Sequence, residues 1–140
     1  MDVEMHPIHP SSKIYIAPSL IPHAGRGVFA GENINVNEII ETCPVKVLSH
    51  ADYPLVKQTQ LRNYYFMWGP DTCAICFGYG SFYNHSYHPN ATYHKKLEEH
   101  LIEFVAIKNI KKGEEITVNY NYGNPDDLSK LWIDDIPESK

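Results

Sequence analysis

The chain has 140 residues, a formal net charge of −5, 43% hydrophobic residues and ten tyrosines. That length suffices for one domain with its own core. The acidic balance argues against a surface built to hold nucleic-acid phosphates and favours basic partners, and no apolar run approaches the roughly 20 residues that span a bilayer. Three cysteines, an odd number, give no disulfide framework and suit a reducing compartment. The first dozen residues lack the basic start and apolar centre of a secretory signal, which places the protein inside the cell.

Residues 1–12, with Pro7 and Pro10, read as a flexible arm. Lys13-Ile14-Tyr15-Ile16-Ala17 then alternates like a strand that Pro18 and Pro22 end. Gly25-Arg26-Gly27-Val28-Phe29-Ala30 is a glycine turn running into a short apolar strand, and no helix follows to make it a dinucleotide fingerprint. An internal echo comes next. Ala30, Ile34, Asn37, Glu38 and Ile40 recur at the same offsets as Ala106, Ile110, Gly113, Glu114 and Ile116. Both segments read as strand, turn, strand, with Asn37 and Gly113 as the residues that accept positive φ. Further short strands are expected at Cys43–Leu48, Ala74–Phe77 and Ile102–Ile107, a mainly β chain. The one helix candidate is Pro54–Trp68, where Leu55, Gln58, Leu61, Tyr64, Tyr65 and Trp68 recur at roughly helical spacing before Gly69-Pro70.

Gly78 to Asn90 breaks every regular pattern with a glycine pair, an aromatic pair, Asn84-His85-Ser86 and then Pro89, and reads as a shaped loop. Its asparagine and histidine supply amide donors, a carbonyl acceptor and an imidazole. A simple turn closed by asparagine side chains explains the same residues. Leu131-Trp132-Ile133 forms a small apolar cluster in an acidic tail.

Taken together, Gly25-Arg26-Gly27-Val28-Phe29-Ala30, Phe82-Tyr83-Asn84-His85-Ser86, Pro89-Asn90-Ala91 and Gly113-Glu114-Glu115-Ile116-Thr117-Val118-Asn119-Tyr120 resemble the SET domain of protein lysine methyltransferases. The match covers about Ile14 to Gly123, and small stand-alone versions look like those of bacteria and viruses. The resemblance implies a fold of small curved sheets with a knot-like C-terminal threading, S-adenosylmethionine as cofactor and a basic protein, histone or other, as substrate. It divides the chain into the arm at 1–12, a SET domain at 13–123 and a tail at 124–140 that completes the cleft. The activity it implies is transfer of a methyl group to a lysine ε-amine, in the cytoplasm of a prokaryote or the nucleus or cytoplasm otherwise. An inactive interaction domain of the same fold is the alternative.

Residue by residue, the resemblance makes Tyr120 the catalytic tyrosine. It assigns the cofactor to Arg26, Gly27, Asn84, His85 and Trp132, and the lysine channel to Tyr64, Tyr93 and Tyr122. Tyr93 with Val118 implies a crowded pocket suited to monomethylation. Tyr87 stands where many relatives have cysteine, and no cysteine-rich tail follows, so their zinc site is expected to be absent and the cleft completed by residues 126–136 or by a second copy of the chain. Cys73-x-x-Cys76 has metal or redox spacing, but without a second tight ligand pair it reads as two small core residues. Glu114 and Glu115, pointing to opposite faces of a strand, read as a turn and a structural hydrogen bond. Lys95-Lys96 reads as a solvated turn.

Overall fold

The alternation at Lys13–Ala17 folds as β1 (Ile14–Pro18), and the glycine turn delivers β2 (Arg26–Ala30) antiparallel to it, Ile14 opposite Ala30 and Pro18 opposite Arg26. The structure, a computed structural model, describes residues 5–121 and 124–131. Pro18, lacking an N–H, ends an edge strand, where the ladder loses least. The other strands are β3 (Ile39–Val47), β4 (Tyr65–Met67), β5 (Cys73–Cys76), β6 (Asn84–His85), β7 (Ala91–Lys96), β8 (Leu101–Ala106) and β9 (Glu115–Val118). They make two sheets, ordered β1-β2-β9-β6 and β4-β5-β3-β8-β7. This is the expected mainly β class, with one short helix among the described residues, α1 (Tyr53–Val56), and 3-10 turns at Gln60–Asn63 and Gly80–Phe82. No described helix is long and apolar enough to cross a membrane.

The helix expected over Pro54–Trp68 does not form as one element. Thr59 is extended, at φ −110 and ψ 173, and its side chain accepts from the Leu61 N–H, so the chain restarts there as a 3-10 turn. Leu55 and Leu61, counted to the buried face of that helix, are 59% and 47% exposed. Tyr65-Phe66-Met67 is instead a strand, turned back through Gly69 (φ +81) and Asp71 (φ +57) so that Tyr65 faces Ile75 and Met67 faces Cys73. A run of aromatic residues suits a pleated surface, and cross-strand pairing outweighs weak helical spacing.

The internal echo is a structural repeat. Ile34 and Ile110 exchange backbone hydrogen bonds at 2.8 Å each way. Asn37 N–H donates to the Ala106 carbonyl at 2.8 Å, and Gly113 N–H donates to the Ala30 carbonyl at 2.7 Å. The Val36 N–H reaches Asn109 Oδ1 and the Lys112 N–H reaches Asn33 Oδ1, both at 2.9 Å. Every bond has its counterpart at the echo offset, so the two segments pair with one another about an approximate two-fold axis. Asn37 (φ +73) and Gly113 (φ +92) take the expected left-handed turn position.

The core is a single cluster that includes Val28, Ile34, Ile40, Tyr83, Ile102, Phe104, Ile110 and Ile116. Cys73 and Cys76 lie in the interior as small buried residues, as expected of two cysteines without a second ligand pair. Pro44 sits in the middle of β3, where pairing passes from β8 to β5, so its missing N–H interrupts neither ladder. The five-stranded sheet curls until its edges meet. Phe66 of β4 packs edge-on against Tyr93 of β7 at 5.3 Å, and Lys95 of β7 donates to the Met67 carbonyl of β4 at 2.8 Å. Lys95 is thus no solvated turn residue.

Candidate active site

β6 is only two residues long, yet it pairs in parallel with β9, Asn84 opposite Thr117 and His85 opposite Val118. The pairing brings the Asn-His motif beside Tyr120, which follows β9. Asn84 is 1% exposed. Its Nδ2 donates to the Arg26 carbonyl and to Glu115 Oε2, both at 3.0 Å, while its buried Oδ1 accepts no hydrogen bond among the described residues. Gly27 is required by this approach, because a Cβ there would lie 3.0 Å from Asn84 Nδ2 and closer still to Glu115 Oε2. Glu115 also accepts from the Ser19 hydroxyl and the Leu20 N–H, at 2.8 to 2.9 Å, and so joins β6, β9 and the turn after β1. The structural hydrogen bond expected of the Glu114-Glu115 pair is therefore a carboxylate hub.

His85 Nδ1 accepts the Tyr120 N–H at 3.0 Å, so the neutral ring carries its proton on Nε2. Tyr87 stands edge-on to that ring at 4.4 Å, and its hydroxyl donates to the Ser129 carbonyl at 2.9 Å. Asn119 and Asn121 hold the same tail through Asp127 and Ser129 carbonyls, at 2.6 and 2.9 Å. Leu131 is buried, while Tyr122 and Trp132 lie outside the described residues.

The Tyr120 hydroxyl donates to the Tyr83 carbonyl at 2.7 Å. Burial pushes the phenol well above its ordinary value, with the neighbouring Tyr93, Tyr64 and Glu115 adding to the shift. It is therefore a neutral hydroxyl at physiological pH, unable to act as a base, with its hydrogen directed at the Tyr83 carbonyl. Tyr120 lines a cavity of about 70 Å³ whose wall includes Tyr64, Tyr65, Tyr93, Lys95 and Val118.

Two features of this cavity carry no sequence signal. The Tyr83 carbonyl is fixed from below by Glu41, a buried carboxylate that accepts the Tyr83 hydroxyl at 2.8 Å and the Tyr79 N–H at 2.9 Å. Gly80, in the turn between them, has no room for a side chain, since a Cβ would press on Cys76 Sγ and lie 3.1 Å from Cys43 Sγ. The second feature is Lys95, the only charged residue that lines the cavity among the described residues.

Tyr64, Tyr93 and Tyr120 thus share one cavity, while Arg26 and Gly27 meet Asn84, and His85, the next residue, holds the Tyr120 N–H. The Arg26 side chain points to solvent, and its contribution is the carbonyl held by Asn84.

These strands and this loop are those of a known domain: residues 25–121 match the SET domain, and the chain belongs to that family. A histone-lysine N-methyltransferase of Schizosaccharomyces pombe, H3 lysine-37 specific, is 33% identical over 112 residues, 79% of this chain and 71% of that protein. The crystal structure of a putative histone methyltransferase from Plasmodium falciparum is 34% identical, covers 82% of this chain and 96% of its own, and superimposes with a TM-score of 0.64. A Chaetomium thermophilum Polycomb Repressive Complex 2 chain, bound to S-adenosylmethionine in an autoinhibited conformation, shares the fold at TM-score 0.68, with 22% identity over 84% of this chain and 16% of its own. Family and relatives together support lysine methylation as the activity.

Proposed function

We propose that the chain transfers a methyl group from S-adenosylmethionine to a lysine ε-amine of a basic protein, with Tyr120 as the catalytic residue. The observation that carries this reading is one neutral phenol that lines a cavity walled by aromatic rings and adjoins a polar pair whose buried Asn84 Oδ1 has no partner among the described residues. When bound, the cofactor supplies an electrophilic methyl group on a sulfonium. Asn84 Oδ1 is a buried acceptor in need of a donor, and the α-ammonium of the cofactor is one. The residues present therefore fit it, and the backbone of Arg26 and Gly27 and the backbone around His85 would supply its other contacts. Trp132 is assigned to the adenine by resemblance alone.

Free lysine has a pKa of about 10.4 and must lose a proton before it can attack. A passage walled by Tyr64, Tyr93, Tyr120 and, in this proposal, Tyr122 strips water from the ammonium and lowers its pKa. Water takes the proton, because the Tyr120 phenol cannot. With its hydrogen committed to the Tyr83 carbonyl, the Tyr120 oxygen accepts from the amine or from the methyl hydrogens and fixes their line of approach. Tyr93 and Val118 crowd the cavity, which suits addition of a single methyl group. Histones are the natural first substrates, given what the relatives act on. The tail, or a second copy of the chain, completes the cleft. No observation favours the inactive alternative.

The test is incubation with labelled S-adenosylmethionine and a panel of histones and other basic proteins, followed by mass spectrometry. The unmodified protein is expected to label lysine. Tyr120→Phe is expected to bind the cofactor normally by calorimetry while transfer falls by about 10²-fold or more, as when a positioned hydroxyl is lost. Full transfer by that variant would remove Tyr120 from the role.

A further inference from the structure

Aromatic walls explain how a channel accepts a lysine stem, but not why this one also contains an amine. Lys95 lies two residues beyond Tyr93 on β7, so both side chains leave the strand on the same side, and both line the cavity that holds the Tyr120 hydroxyl. Its Nζ is fixed on the Met67 carbonyl across the closed edge of the sheet, at 2.8 Å. The other titratable groups on the cavity wall are the phenols of Tyr64, Tyr65, Tyr83, Tyr93 and Tyr120. No carboxylate lines it among the described residues. Glu103, on the neighbouring strand, stands opposite His94 and pairs with Lys96 at 3.7 Å. Glu41 is committed to Tyr83 and Tyr79, and Glu115 to Ser19, Leu20 and Asn84.

We propose that Lys95 is a positioning residue that sets the protonation of the incoming target lysine: its ammonium, anchored on the Met67 carbonyl, makes the channel wall electropositive and so selects the neutral amine. A second ammonium entering the same desolvated space meets a like charge that the phenols cannot neutralise, whereas the free amine does not. Uncharged side chains of the same length are accepted for the same reason. Burial lowers the pKa of Lys95 itself, which is the response expected of a cation held in such a wall. The inference rests on the methyltransferase reading and adds to it a source for the proton loss that Tyr120 cannot provide.

The experiment compares the unmodified protein with Lys95→Met, which keeps the stem, and Lys95→Arg, which keeps the charge. Histone H3 peptides carrying either lysine or norleucine at the target position are titrated into each protein from pH 6 to pH 10 with S-adenosylhomocysteine present, which cannot transfer. The unmodified protein is expected to prefer norleucine at low pH by about tenfold, a preference that fades as pH rises. Lys95→Met should lose it and Lys95→Arg keep it. In turnover with the best H3 peptide at saturation, the alkaline rise of kcat, which reports the bound lysine, should move upward by about one pH unit in Lys95→Met and stay in place in Lys95→Arg. A merely structural latch would lower Tm or the active fraction without moving either profile, so unshifted profiles in a folded Lys95→Met overturn the proposal. A folded protein inert toward every peptide and every protein of the panel would instead count against the methyltransferase reading, and the inference would fall with it.

Discussion

Asn84 shows how much one side chain can be asked to do. Its amide nitrogen closes β2 against β9 through Arg26 and Glu115, leaving its oxygen buried with nothing to accept among the described residues. A buried polar atom without a partner costs roughly 1–3 kcal/mol, so its persistence at a family motif supports a ligand donor there. Asn84→Ala is accordingly expected to weaken S-adenosylmethionine binding by about 5- to 100-fold, measured by calorimetry. Unchanged affinity would take Asn84 out of the cofactor site and leave it as a strut. Its chemistry was visible in the sequence, because asparagine beside histidine in a glycine-flanked loop is an unusual supply of donors and acceptors. Its hold on Glu115 was not, since 31 residues separate them and only the parallel pairing of β6 with β9 brings them together.

At the level of elements, the echo between Ala30–Ile40 and Ala106–Ile116 was legible because both halves satisfy the same local demands. A turn residue of positive φ is followed by a glutamate whose carboxylate caps a backbone N–H three residues back, Asn35 at 3.0 Å in one half and Lys111 at 3.1 Å in the other. The two turn positions make matched probes. A Cβ placed on Gly113 would meet nothing within 4 Å, so Gly113→Ala is expected to cost about 1–2 kcal/mol through backbone strain alone. Asn37→Gly, which relieves a milder strain, should change stability by less than about 1 kcal/mol. Urea denaturation of the pair checks both, and equal losses would mean the two turns are not equivalent. The segment Pro54–Trp68 was misread because its apolar spacing satisfies a helix, while the extended Thr59 and the turn at Gly69 to Asp71 commit its second half to β5.

For the whole molecule, the decisive event is the curling of the five-stranded sheet until β4 meets β7. This closure buries Lys95, lowering its pKa from the ordinary lysine value of 10.5. The unfolded chain then binds more protons than the folded one between the lowered pKa and 10.5, so this group's contribution to stability rises with pH across that window. Below the window, the full cost of burying the ammonium is present. The stability of Lys95→Met relative to the unmodified protein is therefore expected to be most favourable at neutral pH and to decline as pH approaches 10.5, whatever the constant cost of losing the bond to Met67. Denaturation at pH 7 and pH 10 measures it. A difference independent of pH would mean that the amine is as well solvated folded as unfolded.

By itself the sequence determined whatever short-range chemistry dictates: mostly short strands, the paired turns, and a polar loop whose residues match those of a lysine methyltransferase family. Alternation, positive-φ turn residues and contiguous motifs are all written within a dozen positions of one another. Tertiary structure alone decided which distant groups meet. Glu41 under Tyr83, Glu115 against Asn84 and Lys95 inside the aromatic cavity each depend on strands far apart in the chain, and a lysine on a strand looks the same in sequence whether its sheet lies open to water or curls over it.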